Sequence, residues 1–124
     1  LTAAQLAALT TTAIQGLTST HIGLLDATQF AGLTTTQFGA LTGAAARGLT
    51  TTQFAAMEPA DFAALTYTQL NALTTEQAQR LTTTDISHLA STQLRTLSTS
   101  AVANLTTAAI ASLTTTQLAA LTTT

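Results

Sequence analysis

The sequence predicts an all-α fold, a solenoid of very short capped helices with one helix in each eight-residue repeat. Leucine recurs at every eighth position from Leu1 to Leu121, and Met57 is the one exception. A threonine usually follows this leucine, and a glutamine often stands three residues later, which is the spacing of a helix capping box. Charged side chains occupy the part of each octad that suits a helix dipole.

The whole chain, residues 1–124, is one repeat array of fifteen full octads, with residues 121–124 starting a sixteenth. No insertion or deletion breaks the phase, and the consensus is Leu-Thr-Thr-Thr-Gln-(Phe/Ile/Leu)-Ala-Ala. Repeat proteins normally carry atypical units at their ends. Because both ends of this chain follow the repeat, we expect either a segment of a longer array or a unit that stacks on copies of itself.

A new helix in each octad accounts for these columns better than one long helix or a flat strand. In a continuous helix, eight residues rotate about 80° beyond two full turns, so the leucines would form no stripe. In a strand, positions one and six would face opposite sides. With a helix in each octad, threonine at position two is the N-cap and glutamine at position five is N3. The predicted caps include Thr2, Gln5, Thr34, Gln37, Thr50, Gln53, Thr66, Gln69, Thr114 and Gln117.

Proline and the charged residues support this register independently. Pro59 falls at the first helical position, where a missing N–H costs nothing. The acidic residues all lie at positions two, four or five, near the helix N-terminus, and the arginines all lie at positions seven or eight, near its C-terminus. Both placements complement the helix dipole. These residues are Asp26, Glu58, Asp61, Glu76, Asp85, Arg47, Arg80 and Arg95.

The apolar residues at positions one and six are the predicted core. They correspond to N′ and N4, the two sites joined by a hydrophobic staple, and they lie on one helix face. This core includes Leu9, Leu33, Phe38, Leu49, Phe54, Phe62, Leu65, Ile86, Leu89 and Ile110. Ala46 and Ala78 depart from the pattern at position six and weaken the core column locally.

Helices of about six residues are stable only against neighbours, because isolated helices shorter than about 12–15 residues are marginal. Small residues at positions seven and eight allow close approach between helices. The periodicity leaves open whether two or three octads complete each turn of the solenoid. Gly16, Gly32 and Gly48 recur every sixteen residues, which is a hint of two. A β-solenoid with threonine ladders is the alternative fold, but it leaves the capping phase, the proline and the charge segregation unexplained. Intrinsic disorder fits the regular apolar columns poorly.

No group of residues predicts catalysis, a metal or a cofactor, so we expect a non-enzymatic protein. His21 stands at the glutamine position and is predicted to act in capping. Asp85 and His88 are close enough to meet on a helix, but we interpret His88 as a surface variant. The net charge of −2 does not favour nucleic-acid binding. Threonine and glutamine interrupt every apolar run, so no membrane span is predicted.

The Leu-Thr-Thr-Thr-Gln-Phe-Ala-Ala-Leu unit resembles degenerate octapeptide tracts of very large bacterial secreted or cell-surface proteins of the fibre or adhesin type. This resemblance covers the whole chain and implies an extracellular location. The leading hypothesis is therefore a structural rod, stalk or self-assembling filament whose partners are copies of itself or neighbouring repeats. The alternative is a binding module for ice or a repetitive glycan, which would use the threonine rows at positions three and four.

Overall fold

A computed structural model describes residues 1–121 of the chain, and in this range fifteen short α-helices are joined by turns of two to four residues. The prediction of an all-α solenoid is confirmed, and no strand occurs in this range to support the β-solenoid. Thr122–Thr124, most of the incomplete sixteenth octad, lie outside the described residues. The helices are α1 Ala3–Ala7, α2 Thr11–Gln15, α3 Ser19–Gly23, α4 Ala27–Ala31, α5 Thr35–Ala40, α6 Gly43–Ala46, α7 Thr51–Ala55, α8 Pro59–Ala64, α9 Tyr67–Asn71, α10 Thr75–Arg80, α11 Thr83–His88, α12 Ser91–Leu94, α13 Thr99–Ala103, α14 Thr107–Ala111 and α15 Thr115–Leu121.

Every one of these helices begins at position three of its octad, one residue after the N-cap. The N-cap backbone is extended, with φ −80° and ψ 163° at Thr2 and φ −68° and ψ 159° at Thr50. An extended residue cannot continue the preceding helix, so the chain changes direction in every octad. None of the described residues has a positive φ, and Gly16 ends α2 at φ −78° and ψ −7°. The helices therefore end without the left-handed glycine that often follows a helix.

One turn of the solenoid, which we call a coil, takes between three and four octads. Helix α1 packs on α4, α2 on α5, α5 on α8 and α8 on α11, so each helix contacts the helix three octads later. Contacts between coils join residues 25 to 31 positions apart, from Gly23 with Gly48 to Gln37 with Leu6. The hint of two octads in each coil, drawn from glycine spacing, was wrong, because Gly32 and Gly48 lie at close contacts between coils, whereas Gly16 contacts only its own helix.

The core is a continuous column of residues from positions one and six, and it includes most of the residues predicted for it. Buried members of the predicted set are Leu33, Phe38, Leu49, Phe54, Phe62, Leu65, Ile86 and Leu89. Consecutive position-six rings touch edge to face, with centroids 5.1 Å apart for Phe30 and Phe38 and 5.4 Å apart for Phe54 and Phe62. Ala46 and Ala78 are also buried at this position.

Two predicted core residues differ from the prediction, and both lie in the end coils. Ile110 is 36% exposed, whereas its neighbour Ala109 is fully buried. Leu9 is only partly buried against the core. The first and the last coil each have one side that no other described coil covers. Membership of an apolar column therefore predicts burial only where the neighbouring coil that covers that column is present, as the full burial of Leu6 in the first coil shows.

Close approach between coils depends on glycine at position eight. A Cβ atom on Gly48 would stand 2.1 Å from the carbonyl oxygen of Ser19. A Cβ atom on Gly32 would stand 2.7 Å from the Cβ of Ala3. In both pairs the glycine faces the N-terminus of a helix in the preceding coil. The structure thus shows why small residues are required at some places in this column.

Candidate functional site: the glutamine column

The threonine and glutamine pairs form reciprocal hydrogen bonds at the helix N-termini. In α1 the Gln5 N–H donates to Thr2 Oγ1 over 3.2 Å, and the Thr2 N–H donates to Gln5 Oε1 over 2.8 Å. Each pair satisfies two of the N–H groups that a helix leaves without acceptors. The same reciprocal bonds occur between Thr34 and Gln37, Thr50 and Gln53, Thr66 and Gln69, and Thr114 and Gln117.

Residues that replace threonine or glutamine keep part of this chemistry. His21 Nδ1 accepts the Thr18 N–H over 3.3 Å, so this histidine acts in capping, where the sequence placed it. Asp85 accepts the Thr82 N–H over 2.8 Å. Ala90 has no side-chain acceptor, and only its backbone N–H bonds to Gln93. The N3 side chain can therefore vary among glutamine, aspartate and histidine while the cap persists.

Glutamine has a second role that a carboxylate cannot share, because its amide nitrogen bridges two coils. Gln37 Nε2 donates to the carbonyl oxygens of Leu6, over 2.9 Å, and Leu9, over 2.8 Å. These carbonyls belong to positions six and one of the preceding coil. The same two-carbonyl bridge recurs from Gln53 to Ile22 and Leu25, from Gln69 to Phe38 and Leu41, from Gln77 to Ala46 and Leu49, from Gln93 to Phe62 and Leu65, and from Gln117 to Ile86 and Leu89.

Five of these six bridging side chains are buried between coils, and Gln93 is half-buried. Gln69 is 0% exposed, and Gln37, Gln53, Gln77 and Gln117 are also buried. Among the described residues, no buried side-chain nitrogen or oxygen lacks a hydrogen-bond partner. A hydrogen bond in a dry interior is electrostatically stronger than in water, and losing one partner leaves the other desolvated. The column therefore holds successive coils in one register.

The bridging role was missed by the sequence reasoning, which assigned glutamine to capping alone. The identity of the residue at position five already indicated this second role. Glutamate satisfies a capping box as well as glutamine does, yet glutamate never occupies position five in this chain. Only an amide offers an acceptor for the cap and a donor for the next coil. An unvarying preference for glutamine over glutamate was the evidence for a second contact.

The titratable residues do not converge on a reactive centre. His88 Nδ1 lies 2.7 Å from the Thr84 carbonyl oxygen, whereas Asp85 bonds to Thr82, so this pair does not form the arrangement that its spacing allowed. Within residues 1–121 no three histidine, cysteine, aspartate or glutamate side chains are grouped as metal ligands. In the same range, no helix has the length and apolar character that a membrane crossing requires.

A shallow surface groove of about 670 Å³ is lined by Arg47, Asn71, Thr74 and Ser98 among others. Its polar lining consists of hydroxyl and amide groups around a single cation. The groove contains no base beside a hydroxyl, which nucleophilic catalysis by serine or threonine requires. The groove lies where the ends of several helices meet.

A family model described as the ALTTAQ repeat matches residues 54–91 and matches again over residues 86–123. The two matches together cover more than half of the chain and overlap by less than one octad. No curated protein and no solved structure shows significant similarity to the chain. The tandem matches agree with the unbroken octad phase of the sequence.

Proposed function

Because the chain belongs to the ALTTAQ repeat family, we propose that it is a structural element, a stiff rod or stalk wound from octapeptides, without catalytic activity. Repeat solenoids grow in one dimension, since each unit contacts only its neighbours. Length can therefore be added without redesigning a core. A spacer or fibre needs this property, and an enzyme does not.

The observation that carries this proposal is the bridge between each glutamine and the preceding coil. The bridges begin at Gln37 and continue to Gln117, and each links backbone carbonyls 28 and 31 residues earlier to a capped helix start. A buried bidentate contact of this kind resists sliding and bending between coils. We therefore expect adjacent coils to move as one body, which makes a long array stiff.

We propose an extracellular or bacterial cell-surface setting for this rod. The support is the resemblance of the octapeptide to tracts in large secreted and surface proteins, together with the low content of charged residues, 6%. Neighbouring repeats of the same array, or other copies of the chain, are the partners that this role needs. Detection of the native protein on intact bacteria with a surface-restricted label supports the setting, and labelling only after lysis contradicts it.

An in-phase tandem fusion tests the rod. Joining residues 1–120 directly to a second copy of residues 1–124 preserves the octad phase. The matched control joins residues 1–124 to a second copy, which adds four residues at the junction and breaks the phase by half an octad. Small-angle X-ray scattering should show that the in-phase fusion keeps the cross-section of the single chain and lengthens by about 8–10 Å for each added coil.

The control fusion should scatter as two rods joined by a hinge, with a broader range of dimensions. An in-phase fusion that compacts into a globule, or that scatters like the out-of-phase control, would contradict the rod. The fused chain is covalent, so the result does not depend on association between molecules.

The exposed threonines favour a second candidate function, binding to ice or a repetitive glycan. Hydroxyls at positions three and four lie on the surface of several octads, as at Thr83, Thr84, Thr115 and Thr116. The N-cap threonines are engaged with the backbone, so these outer residues are the available ones. Thermal hysteresis in a purified sample, or retention on an immobilised polysaccharide, would support this candidate. The absence of both effects would exclude it.

A further inference from the structure

Two surface depressions join into one groove on the side of the array. The first, of about 670 Å³, is lined by Arg47 and Asn71 among others. The second, of about 500 Å³, is lined by Tyr67, Asn71 and Arg95 among others. Because Asn71 borders both, the two are continuous, and we call them together the arginine groove. All of its lining residues lie between 43 and 100, so described coils continue on both sides of it.

The long polar side chains of the groove repeat with the coils. Arg47, Asn71 and Arg95 stand at position seven of octads six, nine and twelve. Helix α6, which Arg47 caps, packs on α9, and Arg95 caps α12 and borders the same depression as Tyr67 of α9. Packed helices are about 8–10 Å apart, so two such spacings separate the arginines by about 16–20 Å along the solenoid. The groove therefore runs along the array with a cation at each end.

The polar groups of the groove have no partners in the protein. The guanidinium groups of Arg47 and Arg95 form no ion pair and no hydrogen bond within residues 1–121. The same is true of the Asn71 amide and of the Thr68 hydroxyl, which line the groove beside them. All four side chains are exposed. Guanidinium donors pair best with carboxylates, and the amide and hydroxyl can bond to further hydroxyl groups.

Most of the acidic side chains lie on a different stack of helices. Glu58 caps α8, Asp61 lies within it, and Asp85 lies in α11. Helix α8 packs between α5 and α11, away from the α6 and α9 pair. Glu76 borders an adjoining depression that Arg47 also lines, but among the described residues no carboxylate lines the arginine groove itself. The groove is therefore a positive region of a protein whose net charge is −2.

The spacing of the arginines favours a sparsely charged ligand. A nucleic-acid strand carries one phosphate in roughly every 3.4 Å, so it would bring about five phosphates to the two guanidinium groups. An acidic polysaccharide that carries carboxylates on only some of its rings brings fewer charges and many hydroxyls. Tyr67 is 70% exposed, and its ring offers a flat apolar face for the C–H side of a sugar ring. The groove thus matches a sugar chain better than a nucleic acid.

We propose that the arginine groove binds a linear acidic polysaccharide, which lies along the array. Arg47 and Arg95 bind carboxylates of separate rings, Asn71 binds hydroxyls between them, and Tyr67 packs against a ring. This inference goes beyond the structural role, which requires no ligand. It also differs from glycan binding through the threonine rows, because it uses position seven on one side of the array.

A charge-matched pair of variants tests the groove. Arg47→Gln with Arg95→Gln removes both guanidinium groups and keeps polar side chains in their place. The control is Arg80→Gln with Thr28→Glu, which lowers the net charge by the same two units. Arg80 borders a separate depression, and Thr28 is an exposed residue of α4. All four side chains are on the surface, so the fold should persist, which far-UV circular dichroism checks.

Biolayer interferometry on immobilised hyaluronan, which has a carboxylate on every second ring, measures the binding. The unmodified chain and the control should bind equally, and neither should bind neutral dextran. The double arginine variant should bind at least about fivefold more weakly, because two exposed ion pairs are lost. Added salt should weaken binding of the unmodified chain. Tyr67→Ala should also weaken binding, but without changing its dependence on salt.

Four results would overturn the proposal. They are an unmodified chain that does not bind hyaluronan, equal binding to dextran, tighter binding to single-stranded DNA, and a double arginine variant that binds as well as the control. In the last case, binding would belong to the threonine rows instead. The rod is tested separately, since the in-phase fusion reports length without any ligand. A stiff fusion that fails to bind hyaluronan would refute the groove and leave the rod intact.

Discussion

At the scale of single residues, the glutamine at position five determines whether two coils are joined. Its carbonyl oxygen accepts the N-cap N–H, and its amide nitrogen donates to two carbonyls of the preceding coil. Gln69 shows this double role in a fully buried side chain, with bonds of 2.7 Å to Thr66 N, 2.6 Å to the Phe38 carbonyl and 2.8 Å to the Leu41 carbonyl. A substitution at position five should lower the stability according to which of these buried groups it leaves without a hydrogen-bond partner.

Gln69→Ala should lower the free energy of unfolding by about 3 kcal/mol, because it removes the Gln69 partner of the buried Leu41 carbonyl and of the Thr66 N–H, and one of the two partners of the Phe38 carbonyl. The matched control is Gln5→Ala, which removes the same side chain from an exposed cap in the first coil. We expect that control to cost about 1 kcal/mol. Urea denaturation followed by circular dichroism measures both, and equal losses would contradict a bridging role for Gln69.

Asp61→Gln should stabilise the chain by about 1 kcal/mol. Asp61 occupies position five and accepts the Glu58 N–H over 3.0 Å, but a carboxylate cannot donate to the preceding coil. It borders a cavity of about 350 Å³ together with Phe30 and Leu33, whose carbonyls are the ones a glutamine there would reach. Asp61→Asn, which is too short to bridge, is the control. No difference between the two variants in urea denaturation would argue against the bridge.

At the scale of the helix, the sequence predicted nearly everything that is local. The Thr-x-x-Gln spacing fixed the first residue of each helix, and Pro59 begins α8, the position predicted for it. Tyr67, the first residue of α9, is 70% exposed. These features depend on residues within one octad. The contacts between coils depend on residues 25 to 31 positions apart, and periodicity of eight contains no information about that distance.

Ala90→Thr should add about 1 kcal/mol to the stability of the array. Ala90 is an N-cap without a side-chain acceptor, and its backbone (φ −65°, ψ 153°) matches that of Thr50 (φ −68°, ψ 159°). A threonine hydroxyl there can accept the Gln93 N–H. Ala90→Val has nearly the same shape and no acceptor, so it should give no gain. A valine variant as stable as the threonine variant in thermal unfolding would refute the capping explanation.

Gly48→Ala should cost about 2 kcal/mol, because the added methyl group meets the backbone of Ser19 and forces α3 and its neighbours apart. Gly16→Ala is the control, since a Cβ there meets only the Ala13 carbonyl at 3.3 Å. That variant should be neutral or slightly stabilising through the unfolded state. Comparable losses in both variants would show that helix propensity, and not the approach of coils, determines the requirement for glycine.

At the scale of the whole molecule, the sequence predicted a solenoid but not its winding. The number of octads in each coil was left open between two and three, and the hint of two from glycine spacing was wrong, because Gly32 and Gly48 occur where two backbones meet and not once in each turn. The exposure of Ile110 was missed for a related reason. A column of apolar residues in the sequence does not show whether its side chains are covered by the preceding or by the following coil. That direction determines which residues the first and last coils expose.

Residue-resolved amide hydrogen exchange, measured by NMR, tests the central claim that a helix restarts in every octad. The amides at positions three and four are the first two of each helix and have no helical acceptor, whereas positions five to eight and position one are bonded in the caps, helices and turns. The position-two amide is bonded where position five is glutamine, histidine or aspartate, but not where position five is alanine. We predict two fast-exchanging amides in every eight along residues 1–121, three in the four octads with alanine at position five, and none from Pro59. Protection that continues through positions three and four, or that alternates from residue to residue, would contradict the structure.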